Sequence, residues 1–133
     1  PNVVWASLPM GLLIAAVLWV NEFPDYDADH RAGKHTIVVV QGPRYAVAGY
    51  VAIVIAAYVS VVVGALAGLL PWTALITFFT LPMAVRAVLL ARMYFDQVDK
   101  LLPANALTIQ VHSLFGVALA TSFLLARLLR LWF

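Results

Sequence analysis

Three long stretches of this chain contain no Asp, Glu, Lys or Arg, and they restrict it to folds that are stable in a membrane. The stretches are residues 1–21, 45–85 and 101–126. A helix needs about 20 apolar residues to cross the ~30 Å hydrocarbon core of a bilayer. The first and last stretches therefore suit one helix each, and the middle one suits two. The sequence predicts an all-α membrane helix bundle with four transmembrane helices.

Composition excludes several other classes of protein. Hydrophobic residues make up 65% of the chain, against roughly half in soluble domains. There is no cysteine, so neither a disulfide framework nor a thiolate metal site is available. The net charge of +2 comes from scattered basic residues rather than the basic stripe of a nucleic-acid-binding domain. We expect no nucleic-acid partner, and we expect any metal to be bound by oxygen.

The boundaries of the predicted spans follow from prolines, glycines and charges. The spans run from Val4 to about Val20, from Tyr45 to about Ala65, from Trp72 to Tyr94 with a bend at Pro82, and from Thr108 to about Leu129. Because Pro103 has several polar neighbours, we predict that residues 96–107 form a connecting segment ahead of the fourth span. All 133 residues are expected to form a single transmembrane domain.

Small and aromatic residues indicate how the spans pack. Glycines that permit close approach of helices are Gly49, Gly64, Gly68 and Gly116. Tryptophans near the span ends, where an aromatic belt anchors helices at headgroup depth, are Trp5, Trp19, Trp72 and Trp132. Both sets have a structural interpretation that needs no ligand.

The acidic residues concentrate in one block between the first and second spans. Four of the six lie there, and they are Glu22, Asp25, Asp27 and Asp29. Pro24 is compatible with the first turn of a short helix, on which Asp25 and Asp29 lie one turn apart on one face while Asp27 points elsewhere. Two carboxylates at this spacing can both reach one Mg²⁺, which takes oxygen ligands and often completes its shell with phosphate oxygens.

Arg31 and Lys34 follow the acidic residues directly. Together with Mg²⁺ they would neutralise a diphosphate and stabilise the charge that grows on it as a leaving group. The same mixture of acids and bases also has a structural interpretation, in which the block only solvates the loop and anchors the span. Spacing alone does not decide between the two.

Charge distribution predicts the orientation of the bundle. If each span crosses once, the acidic block and the connection ahead of the fourth span share one side of the membrane. The basic residues of that side are Arg31, Lys34, Arg44, Arg92 and Lys100. The turn between the second and third spans is uncharged, so the positive-inside rule makes the shared side cytoplasmic, although Arg127 and Arg130 lie at the opposite end. We expect an integral protein of a prokaryotic plasma membrane.

The string from Asn21 to Thr36 resembles the second aspartate-rich motif of the UbiA superfamily of membrane prenyltransferases. It is most similar to the 1,4-dihydroxy-2-naphthoate polyprenyltransferases of menaquinone biosynthesis, in which an Asn opens the motif and Asp-x-Asp-x-Asp is followed by Ala-Gly-Lys-x-Thr. The stretch 102–116 is similar to the start of that family's last helix. The resemblance covers essentially the whole chain.

The resemblance implies a nine-span enzyme, of which this chain is the C-terminal part and supplies spans six to nine. In such enzymes Mg²⁺ on two aspartate-rich motifs holds a prenyl diphosphate, ionisation gives an allylic cation, and an aromatic acceptor is alkylated. On that resemblance Asp25 and Asp29 are the catalytic metal ligands, Asp27 is a support or further ligand, and Lys34 contacts the diphosphate. We add Arg31 as a second diphosphate contact.

The first aspartate-rich motif is absent from this chain, which opens on Pro1 with no methionine before Met10. We therefore expect a missing N-terminal half that carries the first motif, and we expect the isolated chain to be inactive. Sequence upstream of Pro1 distinguishes a fragment from a separate, non-catalytic half-subunit, because only a subunit would have its own start codon.

Four further residues are candidates for substrate binding. Asn21 opens the motif and Tyr26 lies inside it. Arg86 interrupts the third span about 12 Å from its end, where it either faces a cavity or extends to the membrane boundary. His112 in the fourth span either contacts the acceptor or is satisfied by a neighbouring helix.

A different class of function is a small four-helix membrane protein that binds or conducts divalent cations without chemistry. Such a protein would carry acidic residues inside its spans. None of the six acidic residues lies in an apolar stretch, so the sequence predicts no ion path across the bilayer.

Overall fold

The computed structural model describes residues 2–129, which hold helices and no strand. In chain order these are α1 (Asn2–Asn21), α2 (Tyr26–Arg31), α3 (Ile37–Gln41), α4 (Pro43–Leu66), a 3₁₀ helix (Trp72–Thr80), α5 (Leu81–Tyr94) and α6 (Val98–Leu128). Within residues 2–129, four helical segments are long and apolar enough to cross a membrane, with the 3₁₀ helix and α5 forming one of them. The predicted all-α bundle of four spans is confirmed, and the protein is integral to a membrane. Arg130 and Trp132 lie outside the described residues.

The third span changes helix type near the predicted bend. Its first half is a 3₁₀ helix, and its second half becomes α-helical at Leu81, directly before Pro82. Proline is tolerated in the first turn of an α-helix because the backbone N–H that it lacks would have no intrahelical partner there. In the 3₁₀ half, the hydroxyl of Thr77 donates to the carbonyl of Ala74 and that of Thr80 donates to the carbonyl of Thr77.

The fourth span begins ten residues before the predicted Thr108, because α6 starts at Val98. Residues 98–107 of the predicted polar connection form its first turns, and Pro103 lies inside the helix. A proline removes the hydrogen bond to the carbonyl four residues earlier. Here that carbonyl belongs to Asp99 in the exposed first turn, where the loss is small, and the proline therefore does not end the helix.

The arrangement of the spans places α1 between α4 and α6. α6 also packs along the 3₁₀ helix and α5, whereas α4 and α5 touch more sparsely. An open apolar groove of about 520 Å³ lies between α4 and α5, and Arg92 is among its lining residues. Since α5 ends at Tyr94, Arg92 lies at the end of the groove nearest the acidic block.

Glycines on α4 receive tryptophans from α1 at both ends of this antiparallel pair. A Cβ atom at Gly49 would overlap the indole ring of Trp19, and one at Gly64 would overlap that of Trp5. The Trp5 indole nitrogen also donates to the carbonyl of Ser60 at 3.0 Å. The predicted role of these glycines in close approach is confirmed, and Trp5 and Trp19 are interhelical packing residues rather than belt residues alone.

Two buried hydroxyl pairs tie α4 to the later spans. Tyr50 and Thr108 share a hydrogen bond of 2.7 Å, and so do Tyr58 and Thr80. Side-chain hydrogen bonds of this kind join helices in an environment that offers polar groups few other partners. The first pair fixes α4 against α6, and the second fixes it against the third span.

Candidate functional site

The acidic block folds as the predicted short helix. α2 begins directly after Asp25, and the backbone N–H of Asp29 donates to the carbonyl of Asp25 at 2.8 Å. This hydrogen bond holds the two residues one helical turn apart. The Asp25 side chain makes no capping hydrogen bond and is exposed, so its carboxylate oxygens remain available to a ligand.

Asp29 pairs with Lys34 across the end of α2. The Lys34 ammonium lies 2.5 Å from Asp29 Oδ1, and the Lys34 backbone N–H donates to the Asp29 carbonyl at 3.0 Å. Gly33 makes the intervening turn with φ +69, a conformation that costs glycine little. Asp29 is buried whereas Lys34 is exposed. The buried Asp29 carboxylate therefore holds the Lys34 ammonium group in place at the protein surface.

The charges of Asp25, Asp29 and Lys34 act on one another. The hydrogen bond that Lys34 donates to Asp29, and then the charge of Asp29, raise the pKa of Lys34 above the ordinary 10.5, and the Asp25 carboxylate adds to this rise. On the alkaline side, the raised folded-state pKa of Lys34 means that the pairing is complete up to its ordinary value of 10.5 and is lost as the pH rises through the higher value. We call these three residues the carboxylate–lysine cluster.

Asp27 and Arg31 belong to α2, and both are exposed. Within residues 2–129, no group of three or more acidic or histidine side chains is arranged so that it could hold a metal ion. Asp27 is therefore not gathered with Asp25 and Asp29 into a three-carboxylate site. Arg31 forms no ion pair with any other described residue.

Glu22 caps α3. Its Oε2 accepts a hydrogen bond from the backbone N–H of Val38 at 3.2 Å, and the hydroxyl of Thr36 accepts from the N–H of Val39 at 3.3 Å. The first N–H groups of a helix lack intrahelical partners, so these two side chains satisfy two of them. A Thr before an apolar run is a recognisable capping signal, but the contact from Glu22 spans 16 residues and has no local signature.

Replacing Glu22 with alanine is expected to lower the free energy of unfolding by about 0.5–1.5 kcal/mol, because the Val38 N–H loses its acceptor. Glu22→Gln keeps an oxygen at the same distance along the side chain and should lose less. Reversible unfolding of both variants in detergent micelles measures the difference. Equal losses in the two variants would show that the charge of Glu22, not its capping oxygen, is what matters.

Asn21 directly precedes the acidic block, and Tyr26 lies within it. Asn21 Oδ1 accepts a hydrogen bond from Asn105 Nδ2 at 2.8 Å, which brings the start of α6 to the end of α1. The prediction that both polar connections lie at the same end of the bundle is therefore confirmed. Tyr26 is half-buried, with its ring centroid 5.9 Å from that of His30.

Arg86 and His112 lie within the spans. Arg86 is exposed on α5 and is not among the residues that line the groove. His112 is half-buried on α6. Neither side chain makes a hydrogen bond or ion pair with another residue in the described range 2–129. Their assignment to substrate binding stays a prediction.

The sequence profile of the UbiA prenyltransferase family matches residues 1–114. The match includes the carboxylate–lysine cluster and the first half of α6. The chain belongs to the UbiA prenyltransferase family. This confirms the family that the acidic motif resembles.

A curated relative of this UbiA-family chain is the 2-carboxy-1,4-naphthoquinone phytyltransferase of Synechocystis sp.. The two are 24% identical over 122 residues, which cover 92% of this chain and 40% of the relative. The chain therefore spans about two fifths of that relative's length. No solved structure matches the chain.

Proposed function

We propose that this chain forms the diphosphate-binding part of an enzyme that transfers a polyprenyl group from a prenyl diphosphate to an aromatic acceptor in quinone biosynthesis. The observation that carries the proposal is the carboxylate–lysine cluster in a UbiA-family chain. The acceptor that we assign is 1,4-dihydroxy-2-naphthoate or a related naphthalene ring. The relative that acts on a naphthoquinone supports this class of acceptor.

The donor set fits Mg²⁺. Asp25 and Asp29 offer carboxylate oxygens held one turn apart, and only one oxygen of Asp29 is engaged by Lys34. Two carboxylates with water and substrate phosphate oxygens are a usual ligand set for Mg²⁺. When bound, Mg²⁺ would neutralise the diphosphate and stabilise its departure as a leaving group. We assign Asp25 and Asp29 as its ligands, with Asp27 as an outer support.

Lys34 is placed to bind the diphosphate directly. Its ammonium is exposed and oriented by the buried Asp29, and the same pairing moves its pKa further above physiological pH. A fixed positive charge stabilises the negative charge that develops when the bond between the allylic carbon and the diphosphate oxygen breaks. Arg31, the last residue of α2, forms no ion pair within residues 2–129 and is the second cation that we assign to this role.

The placement of the cluster suits an amphiphilic substrate. It follows the end of α1, where the chain leaves the apolar span, so a diphosphate bound there lies at the boundary and its isoprenoid chain extends into hydrocarbon. The open groove between α4 and α5 is lined almost entirely by apolar side chains. We assign the cluster to the cytoplasmic side of the membrane, on the positive-inside rule.

We further propose that activity needs an N-terminal half that carries the first aspartate-rich motif. The chain spans 40% of the phytyltransferase that it resembles, and the Asp25–Asp29 pair would supply one side of a metal-bound diphosphate. The 133 residues alone are therefore expected to be inactive.

The test uses the gene product that contains this chain with any segment encoded ahead of it, reconstituted in lipid vesicles with a prenyl diphosphate and dihydroxynaphthoate. We expect prenylated product with Mg²⁺, none after chelation, and none from the 133-residue chain alone. Binding of the diphosphate with no product would instead favour a cation- or diphosphate-binding protein without chemistry. Transfer by the isolated chain would refute the need for a second half.

A further inference from the structure

Asn105 joins the last span to the end of the first. Its side-chain nitrogen donates to the Val20 carbonyl at 3.3 Å and to Asn21 Oδ1 at 2.8 Å. Val20 is in the last turn of α1, where backbone carbonyls have no intrahelical partner. Asn105 is only 9% exposed. It therefore acts as a buried cap on α1, although it lies 85 positions after Val20 in the chain.

The orientation of the Asn105 amide follows from its neighbours. The Val20 carbonyl and Asn21 Oδ1 both accept from the side-chain nitrogen. The Val20 carbonyl can only accept, so a flipped Asn105 amide would place its oxygen against that carbonyl oxygen. The remaining atom, Asn105 Oδ1, is buried with no hydrogen-bond partner among the described residues. An unpaired buried carbonyl is costly. The buried Oδ1 atom of Asn105 thus lowers the stability of the fold, whereas its Nδ2 atom supplies the hydrogen bonds to the end of α1.

The end of α1 leads by a short, ordered path to Asp25. The Glu22 N–H donates to the Trp19 carbonyl at 3.2 Å and the Tyr26 N–H to the Phe23 carbonyl at 3.3 Å. Phe23 is 4% exposed and belongs to the core. A movement of the α1 terminus is therefore transmitted to Asp25 through hydrogen-bonded turns rather than absorbed by a loose loop.

We infer that Asn105 is a positioning residue for the carboxylate–lysine cluster. By capping α1 it determines where that helix ends, and thereby where Asp25 and Asp29 face the diphosphate. Asn105 touches neither metal nor substrate in this role. The inference rests on the proposed function for its catalytic consequence, but the ordering of residues 25–34 that it predicts is independent of any reaction.

The chain offers a matched pair of variants on one helix. Asn105→Asp keeps the shape of the side chain but replaces its donor nitrogen by oxygen, which then faces the Val20 carbonyl oxygen. Thr108→Val, one turn further along α6, is also nearly isosteric and removes the buried hydrogen bond to Tyr50. Both changes weaken the contacts of α6, but only the first alters the end of α1.

In the intact gene product, Asn105→Asp is expected to raise the Mg²⁺ concentration for half-maximal prenyl transfer about tenfold, as loss of an orienting group behind metal ligands does. Amide hydrogens of residues 25–34 should exchange about tenfold faster. A tenfold loss of Mg²⁺ affinity and a tenfold easier opening of the segment correspond to the same change in free energy. Thr108→Val should leave both quantities within about twofold, although it lowers the unfolding temperature.

Equal effects of the two variants on Mg²⁺ dependence and exchange would overturn the inference, because Asn105 would then be an ordinary packing residue. Unchanged exchange in Asn105→Asp would overturn it as well. If Asn105→Asp does not fold, Asn21→Ala removes only the 2.8 Å bond and must still speed exchange in residues 25–34. A parent protein without Mg²⁺-dependent transfer would defeat the proposed function, and the exchange measurement alone would then decide the role of Asn105.

Discussion

Alanine at Asp25 or at Asp29 is expected to slow prenyl transfer by a factor of at least about 100, the usual cost of removing one group that stabilises transition-state charge. The two carboxylates lie one helical turn apart and share the neighbouring Lys34. Losing either one removes one of the two carboxylates assigned to the metal. The rate is measured on the intact gene product in vesicles at saturating prenyl diphosphate, across a range of Mg²⁺ concentrations.

The two variants should differ in how they affect substrate binding. Asp29 also orients Lys34, so its replacement should raise the KM for the prenyl diphosphate in addition to lowering kcat. Asp25 has no hydrogen bond from its side chain to α2, and its replacement should act mainly through the metal. Excess Mg²⁺ is therefore expected to recover part of the activity of Asp25→Ala and less of that of Asp29→Ala.

The matched control for both is Asp99→Ala. Asp99 is also an exposed acidic residue, and it lies in the first turn of α6 at the same end of the bundle. Its replacement changes the net charge of that end equally without touching the cluster. If Asp99→Ala slowed transfer as much as the cluster variants, or if the cluster variants were as fast as the parent, the roles assigned to Asp25 and Asp29 would be wrong.

Alanine at Gly49 is expected to lower the free energy of unfolding by about 1–3 kcal/mol, the usual cost of extra volume in a close-packed interior. The added Cβ would overlap the Trp19 indole ring, which is rigid and packs against the core. Relief requires either a shift of the ring or a wider separation of α1 from α4. Reversible denaturation in detergent micelles measures the loss.

Gly11→Ala is the matched control, since a Cβ at Gly11 has no atom within 4 Å, and it should not destabilise the protein. A second variant tests the cause of the effect. Trp19→Leu in the Gly49→Ala background empties the overlapped space and should make the alanine substitution less costly than it is with Trp19 present. An undiminished cost at Gly49 in that background would rule out the indole ring as the source.

Local patterns determined most of the fold and of the site. A span is a property of consecutive apolar residues, and the number of spans and the end of the third span at Tyr94 were therefore predictable. The spacing of Asp25 and Asp29 follows from helical periodicity within five residues. The predicted start of α6 was wrong. A proline such as Pro103 usually indicates a helix boundary, whereas α6 continues through it.

Tertiary structure alone decided how the site is held. The bond of Glu22 to Val38, the pairing of Asn105 with the end of α1, and the seating of Trp19 on Gly49 each join residues that are 16 or more positions apart. Such contacts depend on which helix faces meet and how closely they approach, and that depends on the shapes of side chains on both partners. The sequence thus determined by itself that residues 2–129 contain four membrane-spanning helices and carry a carboxylate pair beside a lysine. Only the packed bundle, in which distant residues satisfy the polar ends of α1 and α3, decided how that pair is positioned.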